Sequence, residues 1–104
     1  MRDGWAVLRL LEASLMDPAV IDALGQHVDR LLAEGNKNLI IDFREVEYIS
    51  SSMVGVLVGT RQSVSRAGGK LVLCGLNARL HELLKITRLE KMFVVKDDVE
   101  SALI

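Results

Sequence analysis

Strand and helix alternate along this 104-residue chain, which predicts one α/β domain spanning residues 1–104, with a mainly parallel sheet of about four strands and right-handed helical crossovers. Three observations carry that expectation. Short apolar runs at residues 5–11, 38–42, 70–75 and 92–95 are strand-like in length and rich in branched residues. Between them, apolar residues recur at spacings of three and four, the period of an amphipathic helix. The connections are short, with no repeat, low-complexity segment or linker.

Composition sets the bounds. Half of the residues are hydrophobic and 26% are charged, a globular balance with enough apolar surface for one modest core. A net charge of −1 gives no overall field toward nucleic acid or an acidic membrane. The few aromatics, Trp5, Phe43, Tyr48 and Phe93, argue against a stacking platform for single strands. The longest uncharged apolar run, residues 53–59, is far too short to cross a bilayer. Charges at Arg2, Asp3, Arg9 and Glu12 leave no visible signal peptide. With Cys74 as the sole cysteine, an intrachain disulfide and a cysteine-based metal site are excluded, which fits a cytoplasmic location.

Each element has its own justification. Residues 5–11 (WAVLRLL) read as a strand. Asp17-Pro18 starts a helix, Asp as N-cap and Pro at the first helical position, and Val20, Ile21, Leu24, Val28, Leu31 and Leu32 form its apolar face. Gly35 ends it. Leu39-Ile40-Ile41 make a strand covered on both faces. Residues 44–47 return the chain to solvent, and Tyr48 and Ile49 re-enter the core. Ser50-Ser51-Ser52 supply an N-cap for a helix from about Ser52 to Ala67, which Gly68-Gly69 breaks. Gly55 and Gly59 share a face of it and are expected to allow close packing. KLVLCG (residues 70–75) is the next strand. Asn77 then caps a helix whose stripe is Leu80, Leu83, Leu84 and Ile86. MFVV (residues 92–95) is the last strand, and Asp97-Asp98 place negative charge at the start of a closing helix with Val99, Ala102 and Leu103 inward.

The serines are where chemistry is expected. In open parallel sheets function gathers outside the carboxyl ends of the strands, where loops enter helices. Two readings stand side by side. One serine is a cap, contributing on the order of 1 kcal/mol. Alternatively one is a phosphorylation switch: a phosphate there would meet free N–H groups and the positive end of the helix dipole, so the fold would tolerate it and the surface offered to a partner would change. Met53, beside the serines, is expected on that surface. A hydrolase is disfavoured, because the glycines of a nucleophile elbow are missing and nothing places His27 or His81 beside a serine. An aspartyl-phosphate receiver at Asp42 is disfavoured too, since Glu12 stands alone after the first strand; Asp42 is expected to hydrogen-bond loop backbone. Cys74 is expected to be a core residue.

Three segments in order resemble the STAS domain, the fold of the bacterial anti-sigma-factor antagonists: LIIDFREVEYISSSMVGVLVG (residues 39–59), AGGKLVLCGLN (67–77) and LLKITRLEKMF (83–93). The resemblance implies a non-enzymatic protein that needs no cofactor or metal of its own. It implies binding to a serine kinase that also holds a sigma factor, phosphorylation by that kinase, and a phosphatase that reverses it. The family pattern Asp-Ser-Ser-Gly lies on Ser50-Ser51-Ser52-Met53, which makes Ser51 the phosphoacceptor. Ser50, Ser52 and Met53 would then form the contact surface, with Asp17, Arg44, Glu45 and Glu47 at its rim. The family aspartate is Ser50 here, the family glycine is Met53, and a third-segment glycine is Arg88. The family also usually has a strand before Trp5, where only four residues stand here, so an exposed edge and self-association through it are expected. The alternative is an unphosphorylated STAS scaffold or a subunit of a transport complex. No nucleic acid and no membrane insertion are expected under either.

Overall fold

The computed structural model describes residues 4–103. Local sequence sets most of its elements. β1 (Ala6–Arg9) leads to a two-residue strand β2 (Ser14–Leu15), then α1 (Pro18–Ala33). β3 (Asn38–Asp42), the short β4 (Tyr48–Ile49) and α2 (Ser51–Arg66) follow. β5 (Lys70–Cys74), α3 (Ala78–Ile86), β6 (Val94–Lys96) and α4 (Val99–Ala102) complete the order. Two caps fall on the expected residues, Asp17 Oδ1 accepting the Ala19 N–H at 2.9 Å and Asn77 Oδ1 the Leu80 N–H at 2.8 Å; Asp98, expected only as one of two charges at the start of the last helix, is its cap, Oδ1 accepting the Ser101 N–H at 2.8 Å. Backbone hydrogen bonding from Ser101 holds the Asp98 carboxyl below the ordinary aspartate range.

The central sheet has the order β1-β3-β5-β6, and all its pairs are parallel. Its alternating side chains feed two cores. Leu39, Ile41, Leu71 and Leu73 pack with α1, α2 and α3, while Ile40, Val72 and Cys74 pack with Val99 and Ala102 of α4. β3 is buried on both faces, as its apolar run requires, and each such side chain contributes about 1.5–3 kcal/mol. β1 is one edge of the sheet among the described residues; residues 1–3, ahead of it, lie outside them.

Gly69 is fixed by close approach. A Cβ there would lie 1.8 Å from the Lys37 carbonyl oxygen, so only glycine lets the two chains meet at the start of β3 and β5. At the end of α3 the left-handed position is held by Arg88, with φ 62°.

Several expectations give way. The first and last strands are shorter and shifted, at Ala6–Arg9 and Val94–Lys96, and the serine helix begins one residue earlier, at Ser51. Strict alternation misses β2 and β4, which pair in parallel as a separate small sheet. Val46 is buried within residues 44–47, expected outside, as is Phe43 just before them, whereas Tyr48 is 46% exposed. Gly55 and Gly59 pack against nothing: a Cβ at either meets no atom within 4 Å. Gly25 instead lies where α1 meets α2, its Cβ position 3.9 Å from Val56. Ile86, expected in the apolar stripe, is 69% exposed because α3 outruns the core at its last turn.

Candidate functional site

The three serines divide their duties. Ser50 is the N-cap of α2, with extended backbone, and its Oγ accepts the Met53 N–H at 3.2 Å. That bond satisfies one of the free donors of the first turn. Ser51 and Ser52 are the first helical residues and exposed, and among the described residues neither side chain makes a hydrogen bond. No acidic residue stands in the first turn, so the positive end of the helix dipole is not offset there by a carboxylate of α2.

The surroundings are fixed from both sides. The Ser50 N–H donates to the Leu15 carbonyl at 3.0 Å, tying the start of α2 to the small β2–β4 sheet. Leu15 leads through exposed Met16 to Asp17, so the loop before α1 lies next to the serines. The Glu47 N–H donates to the Ala13 carbonyl at 2.7 Å, and Asn77 Nδ2 donates to the carbonyls of Val46 and Glu47, both at 3.4 Å. Beyond Tyr48 runs a groove of about 590 Å³ between β4 and α3. The Arg79 guanidinium sits 4.3 Å from the centre of the Tyr48 ring at its rim.

The expected site residues are therefore only partly brought together. Ser50, Ser51, Ser52, Asp17 and Glu47 belong to one end of the molecule through these bonds. Met53 does not belong to its surface: the side chain is 0% exposed and packs in the core under α2. Arg44 and Glu45 are committed elsewhere. Arg44 Nη2 lies 3.0 Å from Asp42 Oδ2, and Glu45 Oε1 lies 2.7 Å from Arg9 Nη2. Both Arg9 and Arg44 line a crevice with Asp97 and Asp98, on the α4 side of the sheet. Asp42 does what the strand-end reading expects, its Oδ1 accepting the Arg44 N–H at 3.0 Å. Burial and the nearby Asp42 and Asp98 charges push the Cys74 thiol up to about 11, so it is a poor nucleophile. Among the described residues no group of three or more His, Cys, Asp or Glu could hold a metal ion, and no helix is long and apolar enough to cross a membrane.

The sequence reading assigned Tyr48 and Ile86 to the core and gave Met16 and Arg79 no role, yet Met16, Tyr48 and Ile86 are exposed. A large apolar or aromatic residue beside a polar turn was the available signal for Met16 and Tyr48. Helical spacing marked Ile86 only as core, and nothing local marked Arg79.

Known proteins share this architecture. Residues 2–102 match the STAS domain family. The anti-sigma-B factor antagonist of Bacillus subtilis is 42% identical over 59 residues, 57% of this chain and 54% of that protein. The chain spans 52–66% of the length of the first curated relatives it matches. The anti-sigma factor antagonist SpoIIAA, in its unphosphorylated form, superposes with a TM-score of 0.76 over 98% of this chain and 87% of its own, at 16% identity. A sulfate transporter family protein of Wolinella succinogenes superposes with a TM-score of 0.77 over 96% of this chain and 82% of its own, at 25% identity. With its four-stranded parallel sheet and a match over nearly its whole length, the chain belongs to the STAS domain family.

Proposed function

We propose that this chain is a non-enzymatic protein-binding switch of the anti-sigma-factor antagonist kind, with Ser51 as phosphoacceptor. It binds a serine kinase that doubles as an anti-sigma factor, and a phosphatase restores it after phosphorylation. Its setting is cytoplasmic, and its output is transcription. The observation that carries the reading is the division of labour at α2: Ser50 does the capping, which leaves the exposed Ser51 hydroxyl without a structural task. Curated relatives named as anti-sigma-B factor antagonists support the same direction.

Ser50 in place of the family aspartate is consistent with a switch. Serine and aspartate are comparable N-caps, so the cap survives the exchange. The exchange also removes an anion that would repel a phosphate on the next residue, while the helix terminus favours that phosphate. The kinase supplies ATP and Mg²⁺; this chain supplies the hydroxyl and its rigid placement. Ser52 and the rim residue Asp17 contribute polar contacts, with Glu47 beside them. Arg44 and Glu45 would contribute only by leaving their ion pairs.

The test is intact-mass analysis with peptide mapping of protein recovered from its own cells. One phosphate on Ser51 is expected, and Ser51→Asp should weaken kinase binding while the melting transition persists. Phosphate on Ser52 instead would move the acceptor. No phosphate in growing, starved or stressed cells would favour a second reading, an unphosphorylated STAS scaffold or transport-complex subunit, which the similarity to a sulfate transporter family protein supports.

A further inference from the structure

Charge is segregated in this molecule. Residues 61–96 hold eight of the 13 Lys and Arg and only two of the 14 Asp and Glu, a positive surplus within a chain of net charge −1. Arg66 and Lys85 offset the helix dipoles in the last turns of α2 and α3. Arg61, Lys70 and Lys96 have no such task. All three are exposed, and among the described residues none is in an ion pair. They line one groove of about 520 Å³, with Leu71, Met92 and Val94 among its apolar walls and, among the described residues, no Asp or Glu in its lining. The sheet is open there. β6 pairs only with Val72, Leu73 and Cys74, so Lys70 and Leu71 have β3 on one side and, among the described residues, no strand on the other. Arg61 Nε donates to the Met92 carbonyl, which holds the guanidinium at the groove.

We propose that this groove binds a short acidic segment of a partner protein in extended form, its backbone laid along the open start of β5 and its carboxylates meeting Arg61, Lys70 and Lys96. The site is separate from the serines: Arg61 stands ten residues along α2 from Ser51, about 15 Å. The proposal therefore does not rest on phosphorylation. Charge complementarity sets the sign of the partner, because three unpaired cations with no carboxylate among them repel one another until an anion arrives. The open edge sets its form, since an added strand takes up free backbone groups. Lys70 and Lys96 share one face of the sheet and Leu71 lies on the other, so alternate residues of an added strand meet cations and an apolar wall. The same lysines disfavour a second copy paired edge to edge, which would bring like charges together. Among the described residues no aromatic side chain lines the groove for a nucleic acid base to stack on.

The test titrates the synthetic peptide acetyl-Glu-Val-Glu-Val-Glu-amide into nitrogen-15-labelled protein and reads amide chemical shifts. Saturable shifts are expected at Lys70, Leu71, Val94 and Lys96, with Ser51 and Ser52 unmoved. Lys70→Gln with Lys96→Gln should weaken binding by about tenfold, the loss of two exposed ion pairs, with an unchanged melting transition. Added salt should weaken it as well. The basic peptide acetyl-Lys-Val-Lys-Val-Lys-amide, a single-stranded oligonucleotide and phosphatidylserine vesicles are measured beside it. No saturable shift, shifts centred elsewhere, equal binding of the basic peptide, or undiminished binding by the double variant would overturn the proposal. Tighter binding of the oligonucleotide or of the vesicles than of the acidic peptide would overturn it too, as would shifts at β6 that grow with protein concentration alone, the mark of a second copy.

Discussion

Replacing Ser50 by alanine removes the side-chain oxygen that accepts the Met53 N–H at the start of α2 without touching the proposed phosphoacceptor Ser51. In the folded protein the Ser50 Oγ accepts the Met53 N–H at 3.2 Å, and Met53 is fully buried, so water cannot simply take the place of the lost oxygen. An N-cap replaced by alanine costs about 1 kcal/mol, within a range of roughly 0.5–2. For a domain of this size that corresponds to a fall in Tm of about 4–8 °C. Ser50→Asp keeps an acceptor and adds an anion at the dipole's positive end, worth about 0.3–1 kcal/mol, so it should match or exceed the parent. Ser51→Ala removes an exposed hydroxyl with no partner and should stay within about 0.5 kcal/mol. Urea unfolding followed by far-UV circular dichroism, with thermal melts in parallel, measures all three. A loss on Ser51→Ala equal to that on Ser50→Ala would refute the assignment of capping to Ser50, and with it the claim that Ser51 is structurally idle.

Three further outcomes are expected. Gly69→Ala should cost about 2–4 kcal/mol by urea unfolding, since its Cβ would lie 1.8 Å from the Lys37 carbonyl oxygen and the shift needed would also strain the bond from the Lys70 N–H to Asn38 Oδ1. Arg88→Gly should gain about 0.5–1 kcal/mol, because the left-handed conformation costs a side-chain-bearing residue about 1–2 kcal/mol and glycine's greater unfolded freedom returns only part of that; a loss of stability would mean that the arginine makes a compensating contact. The Cys74 thiol titrates near 9.0 when unfolded and at about 11 when folded, so its contribution is intact below 9.0 and is lost as pH rises toward 11. The parent should therefore lose more stability than Cys74→Ala across that window, and native Cys74 should react with a thiol reagent only after unfolding.

Sequence and structure agree where a signal is local and disagree where it depends on a distant neighbour. Asp17-Pro18 and Asn77 cap helices as read, because capping involves only the first turn. The run of Asn38–Asp42 is a buried strand with the expected bounds, because no other place suits three consecutive branched apolar side chains. β2 and β4 escaped notice because a two-residue strand has no periodicity and exists only through its partner. Ile86 fits the helical stripe by spacing, yet the core ends before it.

The serine turn shows the boundary most clearly. By itself the sequence determined an α/β domain with a parallel sheet, helices begun by caps, and a serine-marked helix start at the carboxyl end of a strand. Only the tertiary structure decided which serine caps, that Met53 points inward, and that Tyr48 and Ile86 wall an open groove. The reason is rotational phase. Each residue turns a helix by about 100°, so moving its first residue by one position exchanges surface for core. That start is held both by the Ser50 Oγ, which accepts the Met53 N–H, and by the bond from the Ser50 N–H to the Leu15 carbonyl, thirty-five residues earlier in the chain.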